Sequence, residues 1–248
     1  MKQLTTQDVQ KLGHRLATVR HSMDEDLDAV KALYAGFDPN IDARITAISE
    51  LHGTFGMSHL CLMFLYKNLM NRAWWTVNIK QRAPESDMQS VSYAFSNYSR
   101  MAFIQSLFST VESSFRLLLR ALDSSACNNG TSEFKSIYEC LLKSKLSQRP
   151  PDSVALLDLL RLIRNSAHNN GVHFHRTGQD TSITWKGITY DFKHGFPIDF
   201  VNWDFCVTIA DNVRMLMRNV VEDSNIQAIN QQILDPFCYH TRNSICRY

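Results

Sequence analysis

No proline interrupts the chain between Pro84 and Pro150, and that gap constrains the fold more than any other feature. Proline ends a helix by removing an amide donor and clashing with the turn before it, so a long proline-free stretch leaves room for long helices. Inside the window Ile104, Leu107, Phe108, Val111, Phe115, Leu118, Leu119 and Leu122 fall on a helical period without a miss. The pattern predicts a helix over 88–123, stopped by the loop Asp123-Ser124-Ser125-Ala126-Cys127-Asn128-Asn129-Gly130. On its surface Glu112 precedes Arg116 by four residues, the order that favours an ion pair.

The same reasoning predicts helices over 6–35, ending near Gly36-Phe37-Asp38-Pro39, and over 41–79. The apolar face of the second is Ile45, Ile48, Phe55, Met63, Tyr66 and Met70, with Gly53 and Gly56 loosening its middle. A shorter helix is expected over 132–146, and another from Asp152, closed by Asn169-Asn170-Gly171. The period then changes. Residues 172–175 and 183–185 alternate, Lys186-Gly187 forms a turn, and Ile188 to Phe192 returns, which predicts a β hairpin within 172–193. Pro197 and Asp199 open a last helix with the face Phe200, Trp203, Val207, Ala210, Val213, Met217 and Val221. The expected fold is therefore mostly α: a helical bundle of five to six helices with one small inserted β hairpin. Residues 1–87 form a helical extension packed on a core over 88–223, and 224–248 form a tail. No Ser/Gly linker separates these parts, so they read as one continuous bundle.

Composition excludes several classes. At 44% apolar and 20% charged residues the chain is globular, without the signature of disorder. A formal charge of +2 does not by itself call for nucleic acid or an anionic membrane, so any RNA contact must be local. The longest apolar run, Leu60 to Tyr66, is too short to span a bilayer, and no membrane association is expected. Six cysteines lack Cys-x-x-Cys spacing, and the start of the chain has no apolar signal stretch, which points to free thiols in a reducing cytoplasmic compartment. Neither a phosphate-binding glycine loop nor a Gly-x-Ser-x-Gly elbow occurs, and no cofactor or metal is expected.

One segment concentrates chemistry: Arg161-Leu162-Ile163-Arg164-Asn165-Ser166-Ala167-His168. Arg161 and His168 are seven apart and Arg164 and His168 four apart, so all three share one side of a helix. Leu156, Leu160, Ile163 and Ala167 make the adjoining apolar stripe. Arginine offers phosphate a planar, permanently charged fork, and histidine moves protons near neutral pH. Together they suffice to cut RNA without metal: a base for the 2′-hydroxyl, an acid for the leaving 5′-oxygen, and a donor for the phosphorane. Arg161, Arg164, Asn165 and His168 are the candidate catalytic residues, and Arg161, Arg164 and His173 the candidate RNA-binding ones. A plain alternative is a solvated helix edge whose arginines pair with nearby carboxylates.

The long helix with Phe108-Ser-Thr-Val-Glu112-Ser-Ser-Phe115-Arg116, followed by Arg164-Asn165-Ser166-Ala167-His168-Asn169, resembles the HEPN (higher eukaryotes and prokaryotes nucleotide-binding) superfamily over roughly residues 95–222. That resemblance implies a helical bundle, metal-independent endoribonuclease activity, and a toxin or phage-defence role with a nucleotidyltransferase-like antitoxin as partner in some members. It also implies a homodimer in which the two motifs face each other. The family leaves four to six residues between its arginine and histidine. Arg164 leaves three and Arg161 leaves six, so the Arg-Asn dipeptide favours Arg164 and the spacing favours Arg161. A member using both arginines and a non-cleaving nucleotide- or protein-binding member both remain open.

Other candidates carry simpler explanations. His173 and His175 alternate on one side of an expected strand and suit either a cleft or a surface. His14, His21, His52 and His59 read as partly buried packing residues, and Cys238, His240 and Cys246 lack zinc-ligand spacing. Trp74-Trp75, near Lys80 and Arg82, suits base stacking or a helix end packed on the core. If the protein has no site at all, the hairpin aromatics Trp185 and Tyr190 are the expected contact surface.

Overall fold

The computed structural model describes residues 4–79, 84–126 and 133–239. Five long helices carry the architecture: α1 (Thr6–Leu33), α2 (Ala43–Phe64), α4 (Glu85–Leu122), α6 (Ser153–Ala167) and α7 (Trp203–Val221). Short helices α3 (Arg72–Asn78), α5 (Phe134–Cys140) and α8 (Ser224–Gln227) fill the corners. The strands β1 (Thr181–Trp185) and β2 (Ile188–Phe192) are inserted between α6 and α7. The fold is thus mostly α with one small hairpin, as the patterning requires. No described helix is long and apolar enough to cross a membrane. Lys80, Arg82, Cys127, His240 and Cys246 lie outside the described residues.

The predicted second helix is broken. After Phe64 the backbone runs through a π-helical turn, Leu65–Leu69, and then turns at Met70-Asn71. There the Asn71 side chain accepts from the Ala73 amide at 3.0 Å and caps α3. The buried face is also displaced: Leu62, Leu65 and Leu69 enter the core, whereas Met63, Tyr66 and Met70 lie at its edge. The step from Phe55 to Met63 overshoots two helical turns by about 80°, so the expected stripe walks off the core face.

The hairpin is shorter than expected at its first arm. β1 and β2 pair antiparallel from Thr181↔Phe192 to Trp185↔Ile188, and the turn needs positive φ at both Lys186 (49°) and Gly187 (76°). Residues 172–175 alternate but join no ladder; Val172 makes an isolated bridge to Pro197, and the His173 amide donates to the Phe196 carbonyl at 3.0 Å. α7 starts later than predicted. Its cap is Asn202, whose side chain accepts from the Phe205 amide at 2.9 Å, while Pro197 and Asp199 lie in the approach. The hairpin aromatics are no contact surface: Trp185 is buried, and Tyr190 packs against Phe200 and Phe205.

α2 runs antiparallel beside α4, fixed by the ring contacts Phe55–Phe103 and Phe64–Phe95. α6 lies on the opposite flank of α4, where the Arg164 guanidinium sits over the Phe108 ring, about 140° around the helix from Phe95 and Phe103. α7 packs behind them, with Trp203 against Phe103 and its indole N–H donating to Ser96 at 3.0 Å. α1 joins the same core. Its Asp26, almost wholly buried, is held by Arg214 at 2.6 Å and by Arg218, both on α7.

Two polar locks tie distant segments. Arg44, 0% exposed, grips Asp42 through two bonds of 2.8 and 2.7 Å, donates to the carbonyls of Ile229 and Gln231, and stacks between Tyr34 and Phe37. Asp223 caps α8 through the Asn225 amide and accepts from Ser147 (amide 2.9 Å, hydroxyl 2.7 Å) and the Gln148 amide. Burial works to raise the Asp223 pKa, but these donors prevail and hold it below the usual carboxylate range. A lowered carboxylate contributes stability above its unfolded pKa and loses it as pH falls through the folded value. Asp223→Ala is therefore expected to cost about 2–4 kcal/mol at neutral pH. Urea unfolding should show the gap to the parent closing below about pH 4; an equal gap at acid and neutral pH would refute the assignment.

Candidate functional site

The site begins with how α6 is placed. Leu156, Leu157, Leu159, Leu160, Leu162 and Ile163 are buried, which fixes the helix rotation and leaves Arg161, Arg164, Asn165 and His168 along the side away from the core. The helix ends at His168, whose amide donates to the Arg164 carbonyl at 3.3 Å. Asn170 (φ 55°) and Gly171 (φ 85°) then take left-handed conformations, and the Gly171 amide closes onto the Ser166 carbonyl at 2.9 Å. The Asn-Asn-Gly signal in the sequence reports this end correctly.

The structure divides the two arginines that sequence spacing could not rank. Arg161 is committed to its own neighbourhood. Its guanidinium pairs with Asp158 at 3.2 Å, and the same carboxylate oxygen accepts the Tyr138 hydroxyl at 2.6 Å. Burial, reinforced by Asp158, pushes the Tyr138 phenol pKa up and keeps it a donor. Arg164 makes no ion pair among the described residues. Its guanidinium lies 5.3 Å from the Phe108 ring centroid and donates to the Asn165 side-chain oxygen at 3.3 Å. Both arginines have a buried Nε without a protein hydrogen bond among the described residues. His168 and Asn165 are exposed at the helix end, and the His168 ring makes no hydrogen bond to described residues. Arg164, Asn165 and His168 thus form one open group, with Arg161 one turn back and turned toward α5.

His173 belongs elsewhere. It is 2% exposed, packs edge-on against Phe192, and lies close enough to Arg161, His175 and His194 to feel their charge. Neither of its ring nitrogens bonds a described residue. This geometry does not present His173 to RNA on the surface; it places a neutral imidazole under the hairpin. Burial, with His175 and His194 adding to it, lowers its pKa below the ordinary histidine value. Between the lowered folded value and the unfolded value near 6.5 the unfolded chain binds more protons, so stability is full above that window and falls as pH drops through it. His173→Phe should accordingly lose less stability than the parent between about pH 7.5 and about pH 5.5 in denaturant titrations. Parallel curves would show that His173 is not the titrating group.

The remaining candidates settle into packing roles. Trp75 is buried and donates its indole N–H to the Leu69 carbonyl at 2.8 Å, and Trp74 meets Phe64 edge-on. His14 and His21 are exposed on α1, whereas His52 and His59 are partly buried against it. Cys61, Cys140, Cys206 and Cys238 are free thiols, and burial pushes the Cys206 thiol up to about 12. Sequence spacing missed one grouping: Glu50, Asp235 and Cys238 bring their ligand atoms within 4.8 Å of one another. The three come from two segments about 185 residues apart, so no local motif signals them. With two carboxylates and a thiol this is the described group best suited to hold a divalent cation.

The comparisons with known proteins add no constraint: no protein-family model, curated protein or solved structure matches this chain.

Proposed function

We propose that the chain is a HEPN-like metal-independent endoribonuclease whose working surface is the C-terminal end of α6. The observation that carries this reading is the open group of Arg164, Asn165 and His168: a guanidinium with no carboxylate partner among the described residues, steadied by an aromatic ring, beside an exposed imidazole. Arg164 binds the scissile phosphate and offsets charge on the phosphorane, with Asn165 orienting it. His168 transfers protons. The 2′-oxygen gives up its proton and attacks phosphorus, and the 5′-oxygen leaves with a proton. The products are a 2′,3′-cyclic phosphate and a 5′-hydroxyl end. One imidazole per chain does not readily serve as both base and acid, so a second copy divides the roles in a homodimer. Arg161, paired to Asp158, supports the helix end and adds positive charge. The biological setting that fits is a cytoplasmic toxin or phage-defence effector, restrained by a nucleotidyltransferase-like antitoxin.

The test is incubation of the purified protein with total RNA in EDTA, beside the Arg164→Ala/His168→Ala variant. Cleavage by the parent and its loss in the variant are expected. Equal cleavage by both would sink the proposal. A second reading, a non-catalytic module binding a nucleotide or a protein partner at the same helix end, is favoured by one observation: nothing described holds the His168 ring in a fixed tautomer. RNA turnover that depends on His168 would eliminate it.

A further inference from the structure

The outer side of the α2–α4 pair is depleted of charge to an unusual degree. From Leu51 to Tyr66 there is no Asp, Glu, Lys or Arg, and from Met88 to Val111 the one charged residue is Arg100, which is buried. A solvated helix face of this length ordinarily carries several charges. Here it carries large apolar groups instead. Met57, Leu60 and Phe64 recur at helical spacing on α2, with Met57 63% and Leu60 59% exposed. Val91 and Tyr98, seven apart on α4, are 42% and 73% exposed. Both rows point away from the core. On α2 the buried Phe55 and Leu62 lie opposite the row, and on α4 the buried Phe103 and Leu107 do. The contacts Phe64–Phe95 and Phe55–Phe103 set the helices side by side, so the two rows form one surface, extended at one end by Val77 of α3.

We propose that this surface is the seat of a second copy of the chain. Three arguments select that occupant. First, a partner recognised by charge would need complementary charge on this side, and there is none; two identical uncharged faces meet without repulsion, as a twofold interface requires. Second, the size fits. The α4 face from Val91 to Ser109 is about 28 Å long and the α2 face from Gly53 to Phe64 about 18 Å, each about 10 Å wide. The flat footprint is roughly 500 Å², and following the side-chain ridges brings it near the ~800 Å² of accessible surface that each partner gives to a stable interface. Third, the composition is that of an interface centre: Met, Phe and Tyr without Lys, Glu or Asp. Exposed Gly53, Ala94 and Ala102 sit among the large groups and let helices approach closely, so two such pairs make a four-helix contact.

The experiment is sedimentation velocity on the full chain without RNA, which keeps it separate from the ribonuclease reading. The parent is expected to be dimeric down to about 1 μM. Leu60→Arg and Tyr98→Arg, each placed at an exposed position, are expected to give monomers with the parent's helical circular dichroism. His21→Arg, on the exposed side of α1, should remain dimeric. A monomeric parent at about 100 μM overturns the proposal, as does a parent dimer that survives both Leu60→Arg and Tyr98→Arg. If Leu60→Arg alone loses its helical signal, Tyr98→Arg decides the matter by the same readout.

Discussion

Arg44→Leu is expected to lower the stability of the folded chain by about 3–5 kcal/mol, and the melting temperature by roughly 10 °C or more. The Arg44 side chain is fully buried against Asp42, and removing one member of a buried pair leaves the other charged and unpaired. Asp42 would keep only backbone donors, among them the Ile233 amide at 3.2 Å. The carbonyls of Ile229 and Gln231 would lose their donors, and the cation stacked between Tyr34 and Phe37 would be gone. Those carbonyls hold the chain after α8 against the start of α2, where Ala43 donates to Ile233 at 2.7 Å and Asp235 to Ile41 at 2.8 Å. Arg44→Lys should recover little, because an ammonium lacks the planar fork that meets a carboxylate and two carbonyls together. Thermal and urea unfolding of the three proteins checks this; a loss below about 1 kcal/mol for Arg44→Leu would show that the lock adds nothing net.

Under the ribonuclease proposal, His168→Ala should reduce RNA cleavage by roughly 10²–10⁴-fold with no measurable change in melting temperature. The two halves of that expectation have separate causes. His168 is exposed and its ring bonds no described residue, so the fold loses nothing with it. Its proposed work is proton transfer, and no neighbouring side chain on α6 takes that over. Arg164→Ala should be comparably damaging, since the guanidinium is the phosphorane donor. Arg161→Ala should behave in the opposite way: it breaks the pair with Asp158 inside a half-buried cluster that includes Tyr138, so stability falls while the Arg164–His168 group remains. If Arg161→Ala abolishes cleavage and Arg164→Ala leaves it intact, the assignment of roles is wrong.

How much of this was legible in the sequence varied by element. The α4 stripe from Ile104 to Leu119 was, because one helical period ran unbroken and each of its positions is buried. The Lys186-Gly187 turn was, because a two-residue hairpin of the observed kind demands positive φ at both positions and glycine relieves one of them. The break after Phe64 was not. A π-turn has no composition of its own, and Asn71 looks like any helix residue until it caps the next segment. The inward turn of Trp185 and the burial of His173 also escaped, because alternation shows that residues share a side and not which side meets the core.

The sequence by itself determined the fold class, the long helices, the hairpin turn and the helix that carries Arg161, Arg164, Asn165 and His168. These follow from local periodicity, turn conformation and capping, which act over a few residues. Only the tertiary structure decided that Arg161 is tied to Asp158 and Tyr138, that Arg164 lies over Phe108 with no ion pair among the described residues, and that α2 and α4 join their uncharged sides. Those outcomes depend on helix rotation and on partners tens of residues away in the chain. Packing the whole core fixes both, and no local pattern encodes either.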